Sequence, residues 1–427
     1  MSSLHRVMHS GPALPSNPAF VRFTAAVAAV LPSSAEFHRA MHEQQGTPAW
    51  LADRKLRFQF DSWPVELGKL SGSTVSCAIN SNPFTSRKKF VNECVFGRCS
   101  DGDDTNPAFA WGHGAEPWAA RAFLLWCREQ IGSVFHDADA SADSRRIIVD
   151  VALEHYGMVL DRKHSMFGYS PDGVLVWTLR NPKDGAVTVE KELIEIKCRF
   201  KNRDLRDFTT DPIFPYEPIK HSQHVGAVPT CYFAQMQFGM WLMQRAGIVT
   251  RPKCHFIAWF PAHDRDPENT SKDPHVVLEL DPHDFTASTG DSPHAPPPPL
   301  QQPVTKKRKR AAKTTYGPDE CTLRTIHVQT FPHGAFAYTM VPQEEAFTSV
   351  LLEECNKIWE EDILPMAWYK LFRDQSICAA AASASASAPV FPFFTTSSCS
   401  SSFSSSPANR GFEDLIAGGP VISGKIP

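Results

Sequence analysis

The stretch that decides the fold reads SPDGVLVWTLRNPKDGAVTVEKELIEIKC and covers residues 170–198. Two apolar runs, Val174 to Trp177 and Val187 to Cys198, flank the turn residues Asn181-Pro182-Lys183-Asp184-Gly185. Strand-forming residues on both sides of a turn that contains Pro and Gly predict a β-hairpin. Asp172 lies at the entrance of this hairpin.

The second strand of the hairpin presents an acid and a base side by side. Because side chains alternate between the two faces of a strand, Glu195 and Lys197 share one face, and Ile194, Ile196 and Cys198 lie on the other. Together with Asp172, the polar face suits phosphodiester hydrolysis: hard oxygen ligands hold Mg²⁺ or Mn²⁺, and Lys197 orients or deprotonates the attacking water. Glu-x-Lys by itself is typical of a solvated hairpin face, but the preceding aspartate, turn and strand favour the metal site.

Two further polar side chains interrupt apolar helix faces. Glu116 follows Trp111-Gly112-His113-Gly114-Ala115 and lies on a stripe that continues through Ala119, Ala120, Phe123 and Cys127. A carboxylate directed into the protein needs a partner such as a metal-bound water, but a first-turn glutamate that complements the helix dipole explains it equally well. Gln235 lies in a helix predicted from Thr230 to Ala246 and ended by Gly247. Its amide hydrogen-bonds either the active-site water network or, more commonly for such residues, the backbone.

The net charge of −3 gives no global attraction to nucleic acid, so binding depends on local basic clusters. Arg199, Lys201, Arg203 and Arg206 continue from Lys197 and place positive charge where a phosphate backbone requires it; a solvated loop is the alternative. A basic cluster follows a Pro-rich stretch and consists of Lys306, Lys307, Arg308, Lys309 and Arg310. This cluster predicts a nuclear import signal, and thus a nuclear location in a eukaryotic or infected host cell. A solvated basic run or a nonspecific DNA contact is the alternative there.

Composition predicts a soluble globular protein with disordered additions. The chain has 427 residues, of which 42% are hydrophobic, which is enough for a packed core. No apolar run approaches the ~20 residues that a bilayer crossing needs, so we expect no membrane association. The eleven cysteines contain no CxxC pair and indicate reduced thiols instead of a zinc knuckle.

Alternating β-type and helical runs predict a domain of the α/β or α+β fold class, and we expect α/β. Five segments follow from composition and pattern: an N-terminal arm (1–44), a catalytic core (45–286), a Pro-rich basic insertion (287–320), C-terminal strands and a helix that complete the core (321–378), and a disordered Ala/Ser-rich tail (379–427). Within the arm, the apolar stretch from Phe20 to Leu31 predicts a short helix packed on the body.

Six short segments, in their order along the chain, resemble lambda exonuclease and the YqaJ-like viral recombinase nucleases of the PD-(D/E)xK superfamily. They are Gln45-Gly46-Thr47 with Trp50 and Arg54, Leu70-Ser71-Gly72-Ser73, Ala110-Trp111-Gly112 with Glu116, Ser170-Pro171-Asp172-Gly173, Glu195-Ile196-Lys197-Cys198, and Tyr232-Phe233-Ala234-Gln235. The longer segment from Glu195 to Lys201 is also similar to herpesvirus alkaline nucleases. Each motif alone is weak, but the ordered series is specific.

The resemblance implies a restriction-endonuclease-like core, a central mixed β-sheet flanked by helices. It also implies roles: Asp172, Glu195 and the Ile196 carbonyl bind the metal, Lys197 is catalytic, and Glu116 and Gln235 support metal and water. Arg54 and Ser73 would contact the 5′ phosphate of a DNA end; a surface ion pair for Arg54 and a helix cap for Ser73 are the alternatives. The chain departs from lambda exonuclease by about a dozen additional residues between Arg54 and the serine turn (Leu70-Ser71-Gly72-Ser73), among them Phe58, Phe60, Asp61 and Trp63.

We therefore expect a Mg²⁺- or Mn²⁺-dependent exonuclease that degrades linear double-stranded DNA from its ends, 5′ to 3′, in viral recombination and genome processing. The resemblance also implies a single-strand annealing partner, and the oligomeric state is open. One rival is a nuclease that cuts RNA or nicks DNA internally. Another is a catalytically silent nucleic-acid-binding protein on the same fold, which the presence of Asp172, Glu195 and Lys197 disfavours. An iron–sulfur nuclease is disfavoured by the arrangement of the cysteines.

Overall fold

The computed structural model describes residues 14–97, 107–135, 145–198, 224–225, 228–261, 327–331 and 334–386. Its helices are α1 (Pro18–Ala29), α2 (Ser34–His42), α3 (Pro48–Asp53), α4 (Gly72–Val75), α5 (Arg87–Phe96), α6 (Pro107–Arg128), α7 (Thr230–Arg245), α8 (Glu345–Ile358) and α9 (Leu364–Ala386). Its strands are β1 (Lys55–Phe60), β2 (Trp63–Gly68), β3 (Val134–Phe135), β4 (Arg146–Glu154), β5 (Val159–Leu160), β6 (Gly168–Tyr169), β7 (Gly173–Arg180), β8 (Val187–Lys197), β9 (His224–Val225), β10 (Val228–Pro229), β11 (Lys253–Pro261), β12 (His327–Phe331) and β13 (Gly334–Pro342).

Seven of the described strands form one mixed sheet in the order β12-β13-β11-β8-β7-β4-β3. Strands β8 and β11 run parallel, and the other neighbouring pairs are antiparallel. Strands β7 and β8 are the predicted hairpin, and the turn between them contains Gly185 with a φ of +74°, which glycine adopts without strain. The predicted fold class, an α/β protein with a central mixed sheet flanked by helices, is confirmed.

Helices cover the two faces of the sheet and divide the side chains of β8 as predicted. Ile194 and Ile196 belong to one buried core together with Phe123 of α6. Leu193, on the opposite face, belongs to a larger core that includes Phe233 of α7. Glu195 and Lys197 therefore lie on the α7 side of the sheet, while the apolar neighbours that fix the strand lie on the α6 side.

Helix α6 begins earlier than predicted. It runs from Pro107, so the residues from Trp111 to Ala115 are helical and Glu116 lies well inside the helix. The field of a helix terminus is felt mainly within the first turn. The interpretation of Glu116 as a first-turn residue that complements the dipole is therefore wrong. Thr230–Arg245, by contrast, ends as predicted, with Gly247 at a φ of +72°.

The predicted helix of the N-terminal arm is present as α1. Its cap is Asn17, whose side chain accepts hydrogen bonds from the N–H groups of Ala19 and Phe20. The ring centroid of Phe23 lies 5.4 Å from that of Phe60 in β1 and 5.4 Å from that of Trp368 in α9. The arm is thus packed against the body by an aromatic cluster.

The additional residues between Arg54 and the serine turn are the β1–β2 hairpin. Its strands pair from Lys55 with Gly68 to Phe60 with Trp63. Asp61 and Ser62 connect them with φ angles of 45° and 69°. Positive φ at both central residues is the geometry of a two-residue hairpin turn whose twist matches that of the flanking strands.

The C-terminal strands β12 and β13 join the edge of the sheet beside β11. Helix α8 follows Pro342, as the apolar pattern indicated. Helix α9 continues to Ala386, past the point at which we placed the start of a disordered tail. A division of the chain into two units falls between Ser376 and Ile377. The basic cluster from Lys306 to Arg310 lies outside the described residues.

No single described helix is long and apolar enough to cross a bilayer; α1 and α2 meet the requirement only as a pair bent by 62°. The described cysteines, among them Cys127, Cys198 and Cys254, are free thiols. Burial raises the pKa of each of these three thiols well above its ordinary value, which makes them poor nucleophiles and weak metal ligands.

Candidate active site

One ammonium group lies among three oxygen atoms at the end of β8. Lys197 Nζ donates to Glu195 Oε1 and, at 3.0 Å, to the Ile196 carbonyl, and it lies 3.8 Å from Asp172 Oδ2. The N–H of Ile196 donates to Asp172 Oδ2 at 2.7 Å and fixes this carboxylate at the hairpin entrance. The structure thus brings together the four residues that the sequence placed at the centre of the site.

The electrostatics of this centre favour a cation. Burial, followed by the charge of Glu195, raises the pKa of Asp172 well above its ordinary value. Burial also raises the pKa of Glu195, although Lys197 opposes the shift. Burial alone would lower the pKa of Lys197, but the charges of Glu195 and Asp172 hold it well above its ordinary value. Two buried carboxylates therefore share one positive charge, which leaves an excess of negative potential.

The donor set fits a hard divalent cation. Two carboxylates and a main-chain carbonyl surround one point, now taken by the ammonium group, and oxygen ligands of this type suit Mg²⁺ or Mn²⁺. In the described part of the chain, no three His, Cys, Asp or Glu side chains cluster as metal ligands. Asp172, Glu195 and the Ile196 carbonyl would hold the ion, and its remaining positions would be open to water and substrate.

Glu116 on α6 lies near this centre, and Gln235 on α7 lies beside the serine turn. Glu116 is half-buried, and its charge adds to the rise in the pKa of both Asp172 and Glu195. A Cβ atom added at Gly112 in α6 would lie 4.0 Å from the Cys198 carbonyl, so this part of the helix lies beside the end of β8. Gln235 is half-buried in α7 beside the serine turn, where a Cβ atom added at Gly72 would lie 3.1 Å from Gln235 Cγ.

Tyr169 contacts the centre through Glu195. Its hydroxyl donates to Glu195 Oε2 at 3.1 Å, so the two oxygens of this carboxylate have different partners. The ring is completely buried. Burial, followed by the charge of Glu195, raises the pKa of Tyr169 well above its ordinary value, which keeps the phenol a hydrogen-bond donor.

The opening motif of the series anchors the turn that carries Asp172. Gln45 Nε2 donates to the Pro171 carbonyl at 2.8 Å. Trp50 Nε1 donates to Ser170 Oγ at 2.9 Å, and the guanidinium of Arg54 lies over the Trp50 ring, 4.8 Å from its centroid. Arg54 is thereby held at the edge of the site through Trp50 and Ser170.

The β1–β2 hairpin does not separate Arg54 from the serine turn. Its two ends meet, because the N–H of Lys69 donates to the Arg54 carbonyl at 2.9 Å. The Ser73 side chain is exposed, and Ser71 occupies the N-cap position of α4. The alternative role of Ser73 as the cap of this helix is therefore wrong. Arg199 and Lys201, the predicted phosphate contacts that follow β8, lie outside the described residues.

A second carboxylate, away from the centre, also accepts hydrogen bonds from a tyrosine and a lysine. Tyr156 OH donates to Glu154 Oε2 at 2.5 Å, and Lys191 Nζ donates to the same carboxylate at 2.7 Å. Lys191 shares the face of β8 with Glu195 and Lys197. This Tyr156–Glu154–Lys191 cluster is partly exposed. It offers matched control residues for the site.

Sequence reasoning missed Tyr169 and gave Gln45 and Trp50 no role. Nothing in the local pattern distinguishes Tyr169, because its partners Gly72, Gly239 and Glu195 are far from it along the chain. Gln45 and Trp50 belong to the motif series, but they bond a turn more than a hundred residues further along the chain. Gln45 and Pro171, for example, are 126 residues apart, so no local pattern indicates their contact.

The geometry defines a carboxylate-and-lysine centre on the entrance and second strand of a β-hairpin. Residues 49–247 match the family model of the YqaJ-like viral recombinase domain, which confirms the resemblance predicted from the motif series. Among curated proteins, none matches the chain significantly.

Two solved structures are similar to this chain. The Shutoff and Exonuclease Protein from Kaposi's sarcoma-associated herpesvirus is 12% identical over 82% of this chain and 75% of that chain, with a TM-score of 0.33. The KSHV SOX RNA complex gives 13% identity over 83% of this chain and 77% of that chain, with a TM-score of 0.34.

Proposed function

We propose that this protein is a metal-dependent nuclease that hydrolyses linear double-stranded DNA from an end. The observation that carries the proposal is the convergence of Asp172 Oδ2, Glu195 Oε1 and the Ile196 carbonyl on one ammonium group. When bound there, Mg²⁺ or Mn²⁺ would activate water and stabilise negative charge on the phosphate. The match to a viral recombinase domain supports the same class of activity.

In this proposal each residue has one task. Asp172 and Glu195 bind the cation, and Glu116 and Gln235 hold water beside it. In the metal-free chain the charges of Glu195 and Asp172 raise the pKa of Lys197, whose ammonium group can donate hydrogen bonds. Beside the bound cation, Lys197 would orient or deprotonate the attacking water.

Recognition of the end belongs to a second group of residues. Arg54, held over Trp50, and the exposed hydroxyl of Ser73 would bind a 5′ phosphate. Arg199 and Lys201 would contact the DNA backbone. The direction is then 5′ to 3′, and the exposed single strand would pass to an annealing protein in viral recombination and genome processing. The basic cluster from Lys306 to Arg310 would import the protein into the nucleus.

A cleavage assay tests the proposal. The full chain is incubated with Mg²⁺, or with EDTA, and with linear duplex, circular duplex, single-stranded DNA or RNA, and the product lengths are followed over time. Progressive shortening of the linear duplex alone is the expected result. Nicked circles would indicate a nuclease that cuts DNA internally, and a preference for RNA would indicate a nuclease that cuts RNA. Either result would contradict the proposed exonuclease.

Two variants separate the chemistry from the fold. Asp172→Ala and Glu195→Ala should abolish cleavage, because each removes a ligand whose contribution to transition-state stabilisation is several kcal/mol. The matched control Glu154→Ala removes a carboxylate that is also paired with a lysine on the same face of β8, and it should retain activity. Undiminished Mg²⁺-dependent cleavage by the folded double variant of Asp172 and Glu195 would refute the proposed site.

A further inference from the structure

The Glu195 carboxylate is held from two sides. Lys197 donates to Oε1, and the hydroxyl of Tyr169 donates to Oε2 at 3.1 Å. A carboxylate with both oxygens engaged has little freedom to rotate. Lys197 contacts Oε1, Asp172 and the Ile196 carbonyl, so Oε1 is the oxygen on the side of the cation site. Because Tyr169 binds the other oxygen, its hydrogen bond keeps Oε1 in that orientation.

The ring of Tyr169 fills a space that two glycines leave open. A Cβ atom added at Gly72 in α4 would lie 2.5 Å from Tyr169 Cε2, and one added at Gly239 in α7 would lie 2.4 Å from Tyr169 Cζ. Neither glycine has a positive φ, so space is the physical reason for glycine at both positions. The ring is a rigid spacer between α4, α7 and β8.

The backbone also ties the serine turn to the strand that carries Tyr169. The N–H of Leu70 donates to the Met166 carbonyl at 2.8 Å, and the N–H of Gly168 donates to the Leu70 carbonyl at 3.1 Å. These bonds hold the serine turn and β6 in one fixed arrangement. Tyr169 is the residue of β6 that bonds Glu195.

We propose that Tyr169 is a positioning residue whose hydroxyl orients Glu195 for a divalent cation and whose ring sets the spacing between Glu195 and the serine turn. A nucleic-acid end held at Ser73 would then lie at a fixed distance from the reacting centre. The inference rests on the proposed function, because it takes Glu195 to be a metal ligand.

Binding of Mn²⁺ to the full chain, measured by calorimetry without nucleic acid, tests the role of the hydroxyl. Tyr169→Phe keeps the ring and removes the hydrogen bond, and it should weaken Mn²⁺ binding about 10–100-fold, as the loss of a bond that orients a metal ligand does. Tyr156→Phe removes the equivalent bond to Glu154 and should leave Mn²⁺ binding unchanged. An unchanged dissociation constant in folded Tyr169→Phe would overturn the proposal.

A second variant tests the spacer without touching the hydroxyl. Gly72→Ala forces the ring to move, so it should also weaken Mn²⁺ binding. Gly72→Ala acts mainly on the Tyr169 ring, with a lesser contact to Gln235 Cγ at 3.1 Å. Because both changes act largely through Tyr169, the double variant Gly72→Ala/Tyr169→Phe should weaken binding less than the product of the two single effects. Independent effects that multiply, or normal binding by Gly72→Ala, would show that the ring does not set the position of Glu195.

Failure of the proposed function and failure of the role of Tyr169 give different binding results. If the unaltered chain binds no Mn²⁺, the proposed function itself fails. If it binds Mn²⁺ and both Tyr169→Phe and Gly72→Ala bind it equally well, the metal site stands and Tyr169 is a core residue. Should Tyr169→Phe not fold, the result for Gly72→Ala decides.

Discussion

Replacing Lys197 with methionine should make the stability of this protein depend on a divalent cation. In the metal-free state Lys197 is the cation that compensates Asp172 and Glu195, and methionine has nearly the same length but no charge. At the observed 3.8 Å, the attraction between Lys197 and Asp172 alone amounts to about 4 kcal/mol at an effective dielectric constant of about 20.

The loss of the ammonium group leaves two buried carboxylates without a cationic partner. Removing one member of a buried ion pair costs about 3–5 kcal/mol, which for a chain of this size lowers Tm by about 3–6 °C. A bound divalent ion replaces the lost charge, and at about 100 times its Kd it returns about 2.7 kcal/mol. In the unaltered chain the ion must displace Lys197 from the same oxygens, so its stabilising effect should be smaller.

Thermal unfolding in EDTA and across a Mn²⁺ titration measures both effects. Lys191→Met is the matched control, since Lys191 lies on the same face of β8 and pairs with Glu154 at 2.7 Å in a partly exposed position. Such a pair contributes about 0–1 kcal/mol, and its loss should not respond to Mn²⁺. The prediction is contradicted if Lys197→Met unfolds in EDTA at the same temperature as the unaltered chain, or if Mn²⁺ raises both Tm values equally.

Three further predictions concern the DNA end, localisation and pH. Arg54→Ala should slow digestion of a 5′-phosphorylated duplex much more than that of a 5′-hydroxyl duplex, because a charged hydrogen bond contributes about 1.5–3 kcal/mol; equal slowing would show that Arg54 does not read the phosphate. A fluorescent fusion with Lys306, Lys307, Arg308, Lys309 and Arg310 changed to alanine should no longer concentrate in nuclei, and unchanged nuclear accumulation would remove the import signal from the proposal. Burial lowers the pKa of Lys69 from 10.5 to about 8 in the folded chain. Between pH 8 and 10.5 the unfolded chain therefore binds more protons than the folded chain. The free energy of unfolding should rise with pH across this range, by about 3 kcal/mol from this group. Lys69→Met should flatten that rise in urea unfolding measured from pH 8 to 10.5, and an unchanged slope would contradict the assignment.

The core of the site could be predicted because it depends on neighbours in the sequence. The turn from Asn181 to Gly185 closes the β7–β8 hairpin, and strand alternation then places Glu195 and Lys197 on one face. The apolar side chains of Ile194 and Ile196 are buried under α6, which fixes that face towards α7. Helix α7 could be predicted for the same reason, because its apolar periodicity and the Gly247 that ends it are local features of the sequence.

Predictions that needed a helix start or a long-range contact were less successful. The start of α6 was placed too late, because Gly112 and Gly114 looked like a lead-in; the buried residues Trp111 and Ala115 instead lie on the helix. The additional residues after Arg54 cast doubt on its closeness to the serine turn. The β1–β2 hairpin resolves this, since the bond from Lys69 to Arg54 closes its base.

The sequence by itself determined the hairpin, the placement of Asp172, Glu195 and Lys197 on it, and the mixed α/β class, because turn chemistry and periodicity act over a few residues. Only the tertiary structure decided that Tyr169 bonds Glu195 between Gly72 and Gly239, and that Gln45 and Trp50 hold the turn before Asp172. These contacts join residues far apart in the chain. They depend on how α4 and α7 pack against the sheet, which a local pattern of apolar and polar residues does not specify.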